Sequence, residues 1–128
     1  MTAFLLCTGL LGLLATVLTL NVGRMRSKKK IFLGDGGDRE LIGAIRAHGN
    51  LLELTPLCLL IIWLLHDPYG DRTMAALSIV LLAARLLHAG GMLGLVGFGR
   101  AVGAIGTTGV MAVASIWLAL AALGVRLY

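Results

Sequence analysis

RAHGNLLELTPLCLLIIWLL, residues 46–65, is long and apolar enough to cross a bilayer, yet its first half carries Arg46, Asn50 and Glu53. Ionisable groups at the centre of a membrane helix cost roughly 2.5–3.5 kcal/mol each, so a cluster of them points to a functional site. At about 100° per residue, Arg46, Asn50 and Glu53 share one stripe of the predicted helix. Arg39, seven residues before Arg46, falls near that stripe if the helix reaches back so far.

The remainder of the chain agrees with a membrane reading. Of its 128 residues, 59% are hydrophobic and 13% charged, and the mean hydropathy is +0.96. A soluble domain this small has too little interior to hide so much Leu, Ala and Val. Apolar blocks of spanning length cover about 2–22, 41–65, 74–95 and 101–125. The expectation is an all-α fold, an integral membrane four-helix bundle forming one domain over 1–128, with the lipid bilayer as its surroundings. Small residues four apart, Gly99 with Gly103 and Gly90 with Gly94, favour close helix approach, the alternative being that glycine is simply frequent in membrane helices.

The first block lacks a basic leader and its apolar run exceeds that of a cleavable signal, so it is expected to be retained. Cys7 and Cys58 stand in apolar blocks with no CxxC pattern, as small hydrophobes do. The net charge of +5 is unevenly placed. Arg24, Arg26, Lys28, Lys29, Lys30 and Arg39 crowd the first connection and Arg100 the third, whereas HDPYGDR, residues 66–72, sets Asp67 and Asp71 against Arg72. Arg126 is the only cation after the last block. The positive-inside rule then puts the first and third connections in the cytoplasm and both termini on the other side. The RMRSKKK stretch reads as a topogenic patch contacting lipid headgroups. No aromatic or glycine-rich reading module accompanies these cations, which argues against nucleic acid as a partner.

Arg85 and His88 lie three residues apart in the third block, in the same membrane half as Arg46, Asn50 and Glu53. With Arg26 and Arg100 at that face, the polar groups gather on one side while the opposite halves are almost wholly apolar. Such asymmetry predicts a polar pocket open to one interface rather than a channel across the bilayer. Several guanidiniums suit a small polyanion, Glu53 suits an ammonium group, and a fixed positive charge beside a thiol favours the thiolate. In the competing arrangement Arg46 pairs with Glu53, and Arg85 and His88 satisfy carbonyls between helices. Ser78, Ser115, His48 and His66 form no nucleophile constellation, His48 should face a neighbouring helix or the interface, and Met92 reads as packing. No His, Cys or carboxylate set has metal-ligand spacing.

These residues carry a resemblance to the MAPEG superfamily, the membrane-associated proteins in eicosanoid and glutathione metabolism. The second-helix pattern of Arg, Asn, Glu and Pro matches Arg46, Asn50, Glu53 and Pro56 without a gap. FLGDGGDRE at 32–40 is similar to a loop of bacterial members, and ARLLHAGG at 84–91 resembles the third-helix motif. The resemblance implies a bacterial-type, inner-membrane homotrimer with glutathione bound between subunits near the cytoplasmic face. Carried over, Arg26, Arg46, Asn50, Glu53, Arg85 and His88 would contact glutathione, Glu53 through the γ-glutamyl amine and the arginines through the carboxylates. Arg100 resembles the arginine that stabilises the thiolate in eicosanoid-synthesising members. Met92 replaces a tyrosine of several family enzymes and Gly49 an arginine of the prostaglandin E synthase-like members, which argues against eicosanoid synthesis. The implied activity is a glutathione transferase or peroxidase acting on lipophilic electrophiles from the bilayer. The alternative is a non-catalytic scaffold or small transporter whose buried charges serve assembly.

Overall fold

Helix formation in this chain is governed by where its polar punctuation falls between apolar runs. A computed structural model describes residues 1–125; Arg126 lies outside the described residues. Four helices follow one another: α1 Thr2–Lys29, α2 Arg39–Leu64, α3 His66–Met92 and α4 Gly99–Ala122. All four are long and apolar enough to cross a membrane. α1 and α4 each pack against α2 and α3 and do not touch each other.

α1 continues well past the apolar block expected to end near residue 22. Its last turn carries Arg26, Lys28 and Lys29, which complement the negative end of the helix dipole. Lys30 then takes a left-handed conformation (φ 56°, ψ 32°), and the Ile31 N–H donates back to the Arg26 carbonyl at 3.1 Å. The turn that follows needs positive φ at Gly34, Gly36 and Gly37. Asp38 starts α2 by accepting from the Leu41 N–H at 2.9 Å. Lys29 reaches across to Asp38 at 2.6 Å and Glu40 at 2.8 Å, clamping the end of α1 to the start of α2. The Lys29 ammonium, followed by the Leu41 N–H, holds the Asp38 carboxyl below the usual carboxylate range.

The second connection, outside the expected spans, is itself largely helical. Leu65 alone separates α2 from α3, and residues 66–69 already form a helical turn, which breaks at the non-helical Gly70 (φ 74°, ψ −176°) before α3 continues. Pro68 falls in the first turn, where its missing N–H would have had no helical partner anyway. The bend lets α3 reverse direction without an extended linker.

Between α3 and α4 the backbones come very close. A Cβ on Gly103 would collide with the His88 N and the Ala84 carbonyl, and one on Gly99 with the Leu87 carbonyl. Gly91 is as tightly held, against the backbone of Arg100. The Gly99 and Gly103 spacing therefore does what it predicted. Gly90 and Gly94 do not: a Cβ on Gly90 meets only Val96 at ordinary contact distance, and Gly94 serves a positive-φ turn (φ 76°). Leu11, Leu18, Leu51, Ile62, Leu81 and Val110 fill the interior, while Leu5, Leu13, Leu60 and Ile105 face outward as lipid-facing residues do.

Candidate functional site

Among the described residues, Arg85 is the largest fully buried side chain. It sits on α3 opposite α2 and α4, and its guanidinium ties the three helices together. Nη2 donates to Asn50 Oδ1 of α2 at 2.9 Å and lies 3.3 Å from His88 Nδ1, while Nη1 reaches Thr107 Oγ1 of α4 at 3.4 Å. Thr107 in turn donates to the Gly103 carbonyl at 2.8 Å. Among the described residues no carboxylate joins this network, and Arg85 Nε has no hydrogen-bond partner. A buried guanidinium without a carboxylate leaves an uncompensated positive charge.

The network orients its neighbours. Because a guanidinium can only donate, His88 Nδ1 must accept, which leaves the ring proton on Nε2. For the same reason the Asn50 amide uses its oxygen on Arg85 and keeps its NH₂ group for another acceptor. Both residues line a cavity of about 610 Å³ with Arg46, Met92, Gly97, Arg100, Ala101 and Ala104. That volume lies within the roughly 300–1,000 Å³ of small-molecule sites. The polar side chains on its wall are all hydrogen-bond donors or can act as such, and none is a carboxylate. Arg46 and Arg100 are exposed and have no ion pair or hydrogen bond among the described residues. The arrangement has the chemistry to suit an anion, with the buried Arg85 charge behind two free guanidiniums.

The expected site residues thus separate into groups. Arg46, Asn50, His88 and Arg100 line the cavity, and Arg85 stands behind it holding Asn50 and His88. Arg26 lies elsewhere, its Nη1 bonded to the Ile31 carbonyl at 3.2 Å and the Gly34 carbonyl at 2.8 Å, so it shapes the α1–α2 turn. Glu53 is exposed on α2 outside the cavity wall and makes no ion pair among the described residues. The Arg46–Glu53 pair considered as an alternative does not form; seven residues separate them by about 10.5 Å along the axis. Gly49 leaves room beside Glu53, since a Cβ there would stand 3.6 Å from Glu53 Oε1.

Thr107 was missed by sequence reasoning, although it lies seven residues after Arg100, on the same helical face. Met92, read as packing, also forms part of the cavity wall. His48 faces α1 as expected of a residue turned to a neighbouring helix, 3.0 Å from Thr19 Oγ1. Cys7 and Cys58 are buried free thiols, and among the described residues no His, Cys, Asp or Glu group could hold a metal ion. A second hollow of about 600 Å³ beside Tyr69 and Trp117 lies at the opposite membrane end, away from the arginine network.

The sequence pattern of the MAPEG family matches residues 4–122. Inner membrane protein YecN of Escherichia coli strain K12 and its counterpart in Escherichia coli O6:H1 strain CFT073 are each 36% identical to the chain over 77 residues. The alignment spans 59% of this chain and 59% of the length of each relative.

Proposed function

The chain belongs to the MAPEG family, and from that premise we propose that it is a glutathione-dependent membrane enzyme, a transferase or peroxidase acting on lipophilic electrophiles. The observation that carries this reading is the donor-lined cavity: Arg46, Asn50, His88 and Arg100 converge on it with no carboxylate among them. A tripeptide with two carboxylates and a thiol presents the acceptors such a wall lacks.

In this reading Arg46 and Arg85 supply the positive field for the carboxylates, and Asn50 and His88 Nε2–H fix orientation. Glutathione when bound supplies the nucleophilic thiolate. Arg100 holds that negative charge, in surroundings where a guanidinium acts more strongly than it does in water. Glu53 fits the γ-glutamyl ammonium, but it projects from the outer side of α2. A lipid-exposed carboxylate is costly, so we assign its cover to a neighbouring copy in a homotrimer, with each site shared between two copies. Its similarity to inner membrane proteins supports placement in the inner membrane, and the charge distribution supports termini on its non-cytoplasmic side.

The test is ultraviolet difference absorbance on adding glutathione to the detergent-solubilised protein. A saturable thiolate band, lost in Arg100→Gln, is expected; its absence with intact protein overturns the proposal. Glu53, unpaired in a membrane helix, favours a second reading as a transport carboxylate. Efflux of a lipophilic cation from proteoliposomes that vanishes in Glu53→Gln, together with no thiolate band, would establish that reading instead.

A further inference from the structure

The outward side of α1 has a pattern that the cavity does not use. Leu13, Val17, Leu20, Arg24 and Lys28 recur at intervals of three and four residues, so they lie in one stripe. All five are exposed, whereas Phe4, Cys7, Leu11 and Leu18 face inward. The stripe is apolar up to Leu20 and cationic beyond it. From Leu13 to Arg24 is about 16.5 Å of helix, close to one leaflet of a hydrocarbon core about 30 Å thick.

The cations of this corner divide into two sets. Arg26 is bonded to loop carbonyls and Lys29 to Asp38 and Glu40. The side chains of Arg24, Lys28 and Lys30 have no ion pair or hydrogen bond among the described residues. Next to them the loop presents Phe32 and Leu33, 74% and 91% exposed. The Arg26 bonds to the carbonyls of Ile31 and Gly34 hold the backbone on either side of this pair, so the apolar tip is built rather than frayed. Free cations beside fixed apolar side chains at a membrane boundary suit the zone between headgroups and acyl chains. A second copy packed symmetrically on the same stripe would set Arg24, Lys28 and Lys30 against their own like charges.

We infer that this corner is a binding site for an anionic phospholipid, the phosphate held by Arg24, Lys28 and Lys30 and an acyl chain lying along Leu20, Val17 and Leu13, with Phe32 and Leu33 closing the glycerol end. The headgroup charge supplies what the three cations lack. The inference stands apart from the glutathione reading, because it uses none of the cavity residues.

Its test is competition between dioleoyl phosphatidylglycerol and dioleoyl phosphatidylcholine for the full-length protein in mild detergent, with retained lipid counted by native mass spectrometry. The wild type is expected to keep the anionic lipid by roughly tenfold or more over the zwitterionic one, as expected for several cations near an anionic surface. Added salt should weaken that preference. Arg24→Gln with Lys28→Gln should bring the ratio near unity, and Phe32→Ser with Leu33→Ser should lower retention of both lipids. Arg72→Gln, at the opposite membrane end, should leave the ratio unchanged. If the double variant does not fold, salt titration of the wild type tests the same preference, and a ratio that salt leaves unchanged overturns the inference. Equal retention of both lipids by the wild type overturns it too, as does an unchanged ratio in a folded double variant. Displacement of the lipid by inorganic phosphate alone would make this a free-phosphate site, and a changed copy number with an unchanged lipid ratio would make it a subunit contact; either outcome overturns it.

Discussion

Arg85 shows how much a single side chain can organise when it is charged and enclosed. Asn50, His88 and Thr107 each give it a hydrogen-bonding contact, and two of them take their orientation from it. Removing a partner should therefore be worse for folding than removing the charge. Asn50→Ala is expected to cost roughly 1–3 kcal/mol by leaving a buried charged donor unsatisfied. Arg85→Met, of similar length and without the charge, should cost less or stabilise. Thermal unfolding in detergent compares them, and Arg85→Met should still lose the glutathione response. Asp38 gives a pH prediction of known sign. Its folded carboxyl lies below the ordinary range because of Lys29 and the Leu41 N–H. Its contribution is thus full above the unfolded carboxylate value and disappears as pH falls through the depressed folded value. Asp38→Asn should flatten the acid side of the stability profile while leaving neutral-pH thiolate formation intact.

At the scale of elements, the α3–α4 crossing sets the cavity's width. Gly103→Leu drives a side chain into the His88 N and the Ala84 carbonyl, so the helices must part. The expected result is a lower melting temperature together with loss of thiolate formation. Gly109, on the same helix, has nothing within 4 Å of an added Cβ. Gly109→Ala should stabilise by about 0.4–1 kcal/mol through the unfolded chain. Melting curves of the two variants should move in opposite directions. The pair also shows what was legible in sequence. Four-residue glycine spacing marked the true crossing at Gly99 and Gly103, and equally marked Gly90 and Gly94, which serve a turn. Spacing reports that two residues share a face, whereas contact depends on which neighbour that face meets. The helical second connection was hidden for a related reason: its Asp, Pro and Gly content reads as a loop, and a single positive-φ residue, Gly70, lets two helical pieces join through it.

For the whole molecule, Glu53 is the residue whose position asks for a neighbour. It shares the stripe of Arg46 and Asn50, as the periodicity predicted, yet it does not line the cavity they form. If neighbouring copies bring it to an adjacent cavity, a Glu53→Gln copy and an Arg100→Gln copy can complement each other. Co-expression should then restore thiolate formation at about a quarter of the sites by random pairing in a closed ring. Sites confined to one chain would give none. Cross-linking in native membranes should trap three copies.

The sequence alone determined the helical membrane class, the approximate spans and the set of polar residues held in one membrane half, because these follow from apolar run length, period and the cost of buried charge. Tertiary structure decided how that set divides: Arg46, Asn50, His88 and Arg100 to the cavity wall, Arg85 to the support behind it, Arg26 to a loop and Glu53 to the outer surface. Periodicity fixes a direction around one helix axis. Whether two such directions meet depends on crossing angle and separation, which the glycines at the α3–α4 contact set only once the helices have packed.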